Sequence, residues 1–367
     1  MHELICQACS NGCALTVTRQ DVETLVVDGN MCPKGLGYAH HQLHTIESGT
    51  FKLRPRAATY TKEDLLPTVG LFGLTLHEHL PNVFIQGSPD RSEYRTVFTD
   101  TLGQKYILEQ VLDFEHRQTI ATQLAQFAES GLPVVRYVGD CIQTCRDARP
   151  GVSTEKHWQI SPFIVGVPLD RSSYWQDAWR GKAVADFLQG LYQCADNTVR
   201  PQYIVAPTFS LKKYIENLLQ KICENRPQLL SELADIIEYV QTNFFPVHDQ
   251  LAIGFCHGDP HPLNMLWGED KVIAVIDWEF SGLKPRLYDS ALIIGCVGVE
   301  SPDSLEGSFI KTFIDTIELP DKEYLWLFVL ALRFAWISEW LRRDDQEMLA
   351  FEINYMRHIM NVYLKPQ

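Results

Sequence analysis

The sequence contains no apolar run of membrane-spanning length. Its opening residues, MHELICQACS, lack a basic segment followed by an apolar one, so no secretory leader is expected. The longest apolar run, Tyr324 to Ile337, is interrupted by Arg333 and falls short of the roughly 20 residues that a spanning helix needs. Internal repeats and low-complexity segments are also absent, so neither repetition nor biased composition organises the chain. Positive charge is scarce: 32 Lys and Arg stand against 46 Asp and Glu, a net charge of −14. An acidic body disfavours nucleic acid and anionic membrane as partners, while it tolerates a cationic small substrate. Disulfides are not expected either. Ten cysteines in a chain with no leader read as thiols or metal ligands, and a cytoplasmic location follows as the expectation.

What remains is a globular chain of 367 residues, 46% hydrophobic, long enough for two or three cores. Helical and strand-like patterns both occur, so the expected class is mixed α+β. Residues 1–45 form a cysteine-bearing module with two alternating stretches, CALTVTR and ETLVVDGN, and residues 46–60 read as a polar linker. TKED at 61–64 has the form of a capping box, in which Thr61 and Asp64 satisfy helix N-terminal amides. Between 82 and 111, NVFIQGS, EYRTVFTD and QKYILEQV favour strands, with turns at Gly87–Asp90 and Leu102–Gly103. HRQTIATQLAQFAESG reads as a helix ended by Gly131, and LPVVRYVGD and KHWQISPFIVG as two further strands. Beyond about residue 175 the pattern is helical, with Leu229, Leu233, Ile236, Ile237 and Val240 at helical spacing. The exception is 252–280, where short β-like runs flank a polar loop. The result is a strand-rich lobe over 61–163, closing on a hinge, and a helical lobe over 164–367.

That polar loop, FCHGDPHPLNML, is followed a dozen residues later by VIAVIDWEF. Transfer of a γ-phosphoryl group requires a cation on the phosphates, oxygen ligands for it, and a carboxylate to take the acceptor proton. Mg²⁺ takes a few carboxylate or amide oxygens together with water and phosphate. HGDPHPLN supplies an acid and an amide five residues on, and VIDWE supplies a second acid after an apolar strand pattern. The expected roles are Asp259 as base, with Asn264 and Asp277 as metal ligands.

These residues resemble a known family. HGDxxxxN followed by IDWE is the signature of the aminoglycoside phosphotransferases and of the choline, homoserine, thiamine and amino-sugar kinases related to them. The likeness extends over about 62–360 and includes ESGLPV, ISPFIVGVPL, GKAVADFLQGLY and RLYDSA. It implies the two-lobed protein-kinase-like fold and an ATP- and Mg²⁺-dependent transfer to a hydroxyl of a small-molecule acceptor. By position, Asp259 matches the catalytic base, and Asn264 and Asp277 match the magnesium ligands. Gly87 and Ser88 fall in the phosphate-covering loop, and Ser161 and Phe163 at the adenine-contacting hinge. His257 and Asp289 match residues that brace the catalytic loop. His261 and Glu279 either face substrate or stand behind it. The chain departs from the pattern at one place. The family carries Lys or Arg in the third strand of the N-lobe, paired with a helix Glu, whereas QKYILEQVL places Glu109 there and the following helix segment, HRQTIATQLAQF, offers no Glu. Lys105 keeps the same strand face but lies about 13 Å away. A nucleotide-binding pseudokinase is therefore the alternative reading.

At the other end of the chain, Cys6, Cys9 and Cys13 follow C-x2-C-x3-C, and Cys32 opens CPKG. Four thiolates so spaced can close around a metal centre. The three-plus-one distribution resembles the iron–sulfur segment of molybdopterin oxidoreductases and the small cysteine domain that accompanies anaerobic flavin-dependent dehydrogenases. The resemblance implies a 4Fe–4S cluster and a redox partner or redox-sensing role, with a structural Zn²⁺ as the alternative. Cys141 and Cys145 have no further ligands nearby in sequence. The acceptor is not legible, although Trp336, Trp340 and Asp344–Asp345 in the C-lobe either favour an amine or belong to core and surface.

Overall fold

The computed structural model describes residues 2–5, 14–19, 24–28, 39, 43, 52–55, 60–86, 92–111, 114–146, 153–198 and 209–364. They divide into two compact units, Met1–Asp64 and Leu65–Gln367.

In the first unit, β1 (His2–Ile5), β2 (Ala14–Arg19), β3 (Thr24–Asp28) and β4 (Lys52–Pro55) form one sheet in that order. The first two pairings are antiparallel and the third is parallel. Strand periodicity decides the burial: Leu15 and Val17 of β2, with Leu25 and Val27 of β3, turn inward to meet Ala39 and Leu43. Strand β4 lies within the stretch expected as a linker, and it pairs there because KLRP can add to the open edge of β3.

The helix Lys62–Leu71 starts as its capping box requires. The Asp64 amide donates to Thr61 Oγ1 at 3.3 Å, and the Thr61 amide donates to Asp64 Oδ2 at 2.8 Å. In the second unit, β5 (Leu76–Leu80), β6 (Ser92–Asp100), β7 (Lys105–Val111), β8 (Gly139–Arg146) and β9 (Ser153–Pro162) build an antiparallel sheet in the order β5-β6-β7-β9-β8. Two expected strands differ. NVFIQGS is not a strand over Asn82–Gln86; the edge strand is LHEHL, whose His79 ring bonds Thr96 Oγ1 at 2.8 Å. LPVVRYVGD supplies only its last two residues, Gly139 and Asp140, to β8; its start makes a bridge at Val134, because the Pro133 carbonyl accepts from the Val275 amide at 2.8 Å and so commits that end to the second lobe. The helix Phe114–Glu129 crosses the sheet and ends as expected. Gly131, at φ 86°, supplies the left-handed turn, and the Leu132 amide closes back on the Phe127 carbonyl at 3.0 Å.

The second lobe is helical. Helices Ala178–Thr198, Leu211–Asn225, Ala234–Asn243, Leu287–Val297 and Ser308–Thr316 pack with the C-terminal helices Leu325–Leu332, Phe334–Arg343 and Gln346–Ile359 around one core. Inserted among them are two short antiparallel ladders. One pairs β10 (Ile253–Cys256) with β13 (Gly282–Pro285), and the other pairs β11 (Met265–Trp267) with β12 (Val272–Val275). The helical run Lys322–Arg343 has the length and composition to cross a membrane, contrary to the expectation from sequence. Its apolar side chains, among them Phe328, Leu330, Phe334 and Ile337, are buried in the core of the lobe. Together the sheet and the ladders set a cleft between the lobes, with the HGD loop on its lower side.

Candidate active site

The HGD loop leaves β10 and is held in shape from two sides. Asp289, buried in the helix Leu287–Val297, accepts the His257 amide at 2.8 Å on one carboxylate oxygen and the Gly258 amide at 2.9 Å on the other. The fully buried His257 ring lies between the two ladders. Its Nε2 is 3.0 Å from the Ile276 carbonyl, and its Nδ1 accepts the Asp259 amide at 3.1 Å. A donor at Nε2 and an acceptor at Nδ1 define one neutral tautomer. Burial holds this ring neutral, with its pKa pushed down to about 3. Trp278 packs on it at 4.3 Å between ring centroids. Gly258 sits at φ 88°, and a Cβ there would collide with the Phe280 carbonyl, so this position of the motif admits only glycine.

Bracing at this depth fixes Asp259, Asn264 and Asp277. Asn264 Nδ2 donates to the Asp259 carbonyl at 2.9 Å and to its Oδ2 at 3.0 Å. Two acceptors on one side of the carboxamide orient it, and its Oδ1 is the atom turned away. The Asn264 main chain joins the loop to β12, since its amide donates to His261 O at 2.8 Å and its carbonyl accepts from Ile276 at 2.9 Å. Asp277, two residues past the end of β12, caps the turn Trp278–Phe280 in the left-handed region, at φ 61° and ψ 58°, a conformation that Asp tolerates better than branched residues. Burial and the Asp277 carboxylate push the Asp259 carboxyl up to about 8; the Asn264 hydrogen bond opposes this, and Glu279 and Asp289 add to it. His261 Nε2 stands 3.8 Å from Asp259 Oδ2, its pKa lowered to about 4 by burial and by the charge of Arg171. Arg171 in turn is paired with Glu300 at 3.1 Å.

The cleft above this loop is lined by Ile107 and Glu109 of β7, by Ser161, Phe163 and Ile164 where β9 runs into the second lobe, and by Leu266, Ile276 and Asp277 below. Ser161 is buried opposite Ile107 in the β7–β9 ladder, and the Phe163 amide donates to Lys105 O at 2.9 Å. Gln86 ties the end of its segment to the catalytic loop through the Leu263 carbonyl at 2.6 Å and the Met265 carbonyl at 3.1 Å. Gly87 and Ser88 lie outside the described residues, as do Cys6, Cys9, Cys13 and Cys32. Lys105 is exposed, while Glu109 faces the cleft. Sequence reading missed the two cations of this cleft, Arg95 of β6 and Arg117 of the helix Phe114–Glu129. Their only signal was the absence of a basic residue at position 109, which required positive charge to come from elsewhere. Among the described residues no group of three or more His, Cys, Asp and Glu side chains is placed to hold a metal ion.

The description "phosphotransferase enzyme family" matches residues 85–323. The protein LicA of Haemophilus influenzae is 24% identical over 226 residues, which take in 60% of this chain and 59% of LicA. The chain thus spans somewhat over half the length of that relative. Among solved structures, the amicoumacin kinase hAmiN in complex with AMP-PNP, Ca²⁺ and Ami superimposes with a TM-score of 0.57 at 14% identity, covering 82% of this chain and 94% of the kinase. The spectinomycin phosphotransferase APH(9)-Ia, in complex with ADP and spectinomycin, gives 0.55 at 14% identity, covering 84% and 96%. The GDP and kanamycin complex of APH(2")-IIIa gives 0.53 at 15%, covering 81% and 99%.

Proposed function

The chain belongs to the phosphotransferase enzyme family, and from that premise we propose that it is an ATP- and Mg²⁺-dependent kinase of a hydroxyl on a small metabolite or aminoglycoside-like acceptor. One observation carries this reading: the braced loop holds Asp259 against Asn264, and the chain after β12 brings Asp277, which lines the interlobe cleft, within electrostatic reach of Asp259.

The roles follow from the chemistry of each group. Asp259 has one carboxylate oxygen engaged by Asn264 and is the base that orients the acceptor hydroxyl and takes its proton. Asn264 Oδ1 and the Asp277 carboxylate are the oxygens for a divalent cation. The donor set fits such an ion, because crowding among Asp259, Asp277 and Glu279 already raises the Asp259 pKa, and nearby positive charge would relieve it. A bound Mg²⁺ supplies charge neutralisation on the phosphates. Ser161 and Phe163 border the space for the base, and Gly87 and Ser88 belong to the segment expected to cover the phosphates. Solved neighbours carry AMP-PNP, ADP or GDP, which supports a nucleotide here. The test is thermal stabilisation by ATP with Mg²⁺, followed by phosphate transfer to a panel of alcohols, amino sugars and aminoglycosides. Stabilisation with no transfer to any acceptor favours the pseudokinase; no stabilisation by nucleotide overturns the kinase reading.

For the first unit, the proposal is a metal centre on Cys6, Cys9, Cys13 and Cys32, a 4Fe–4S cluster in preference to Zn²⁺. The support is their spacing.

A further inference from the structure

At the sheet side of the cleft the usual polarity of charges is reversed. The acid is on the strand, at Glu109 of β7, and a cation is on the crossing helix, at Arg117. Glu109 is fixed by two partners on β6: Ser92 Oγ donates to its Oε1 at 3.1 Å, and Arg95 Nε lies 3.9 Å away. Arg95 is committed further, its Nη2 donating to the Ile85 carbonyl at 2.8 Å. Arg117 is placed differently. Among the described residues its guanidinium makes one hydrogen bond, to the Tyr137 hydroxyl, at the long limit of 3.5 Å. Its charge is matched at a distance by Glu109 and by Glu279, which follows Asp277 in the chain. A planar fork of five donors, half-buried in a cleft wall and using one long bond, has its remaining donors directed at whatever fills the cleft.

We propose that Arg117 is the cation that grips the nucleotide phosphates, with Glu109, fixed by Ser92 and Arg95, as the carboxylate that balances its charge. This deepens the kinase reading and rests on it. Of the residues lining the cleft, Arg95 and Arg117 are the cations and Glu109 and Asp277 the acids, so a polyphosphate entering beside Asp277 finds its positive partner on the helix and not on the strand. Arg favours this task because its fork matches two phosphate oxygens at once and its charge persists at all relevant pH values. Glu109 is then no sign of a degenerate site: its charge balances that of Arg117 across the cleft, as a strand lysine's could not.

The test compares ligands with and without phosphates on Arg117→Gln and Arg117→Lys, read as dissociation constants by displacement of a fluorescent nucleotide in the presence of Mg²⁺. For Arg117→Gln, ATP and ADP affinity should fall by roughly 10- to 100-fold. Adenosine affinity should stay within about twofold, and Arg117→Lys should recover a large part of the loss. Unchanged ATP affinity in Arg117→Gln overturns the inference and leaves the kinase reading standing. An equal loss for adenosine also overturns it, since it marks Arg117 as structural. Failure of the parent chain to bind ATP removes both together.

Discussion

Asp259 combines two demands that pull in opposite directions. As the proposed base it must be ionised, yet burial and the nearby Asp277 carboxylate raise its pKa to about 8. An unfolded Asp titrates near 3.9, so between about pH 4 and 8 the folded state binds more protons than the unfolded one. The contribution of this group to stability therefore falls as pH rises through that window. Asp259→Asn places a neutral group at the same position. The metal-free variant should melt several degrees above the parent at pH 8 and at nearly the same temperature at pH 4, as scanning calorimetry would show. Its turnover should fall by about 10²- to 10⁴-fold with nucleotide affinity little changed. Asp277→Ala, by contrast, should weaken nucleotide affinity at limiting Mg²⁺ as well as turnover. Near-parental turnover in the first variant removes Asp259 as the base; unchanged affinity in the second removes Asp277 as a ligand. These three side chains were legible in the sequence because one loop and one strand end carry them at fixed spacing. The Arg117–Glu109 arrangement was not, because its parts come from two strands and a helix, and only packing shows which side chains meet.

Elements were legible where local chemistry decided them. Thr61 and Asp64 close the capping box their spacing predicts, and Gly131 ends its helix in the left-handed turn that glycine permits. They were misread where tertiary pairing decided: NVFIQGS has strand composition, but the sheet edge is taken by LHEHL, whose histidines weaken an apolar alternation. Arg333 is a further case. In sequence it interrupts an apolar run. In the structure it ends the helix Leu325–Leu332 and is buried, its Nη2 donating to Glu352 Oε2 at 2.6 Å and its Nη1 to the Gly295 carbonyl at 3.0 Å. Trp336 packs on the guanidinium at 4.1 Å. A buried pair of this kind adds little over an apolar one, but removing a single partner leaves an uncompensated charge. Glu352→Gln should therefore cost about 3–5 kcal/mol in denaturant unfolding. The double variant Arg333→Met with Glu352→Leu should recover most of that loss. Equal loss in the single and double variants counts against the uncompensated-charge account.

At the scale of the whole molecule, one chain carries two compact units. Leu65–Gln367 buries an extensive apolar core continuous through its helical lobe, whereas the described core of Met1–Asp64 is the six-residue cluster around Leu15 and Val27. Four cysteines spaced as metal ligands, Cys6, Cys9, Cys13 and Cys32, are the proposed staple of the first unit. Protein purified without oxygen should be brown and carry about four irons per chain, the stoichiometry of a four-cysteine cluster. Serine at Cys6, Cys9, Cys13 or Cys32 should bleach it and abolish the low-temperature step in calorimetry assigned to the first unit. The second unit should keep its melting temperature and its response to ATP, because none of the four cysteines belongs to its core or to its Asp259 loop. Cys141→Ser should leave the colour intact, since Cys141 lies in β8 of the second unit as a free thiol. One zinc and no iron would keep the staple and discard the cluster. Neither metal, with the first unit still folded, would remove the metal centre altogether.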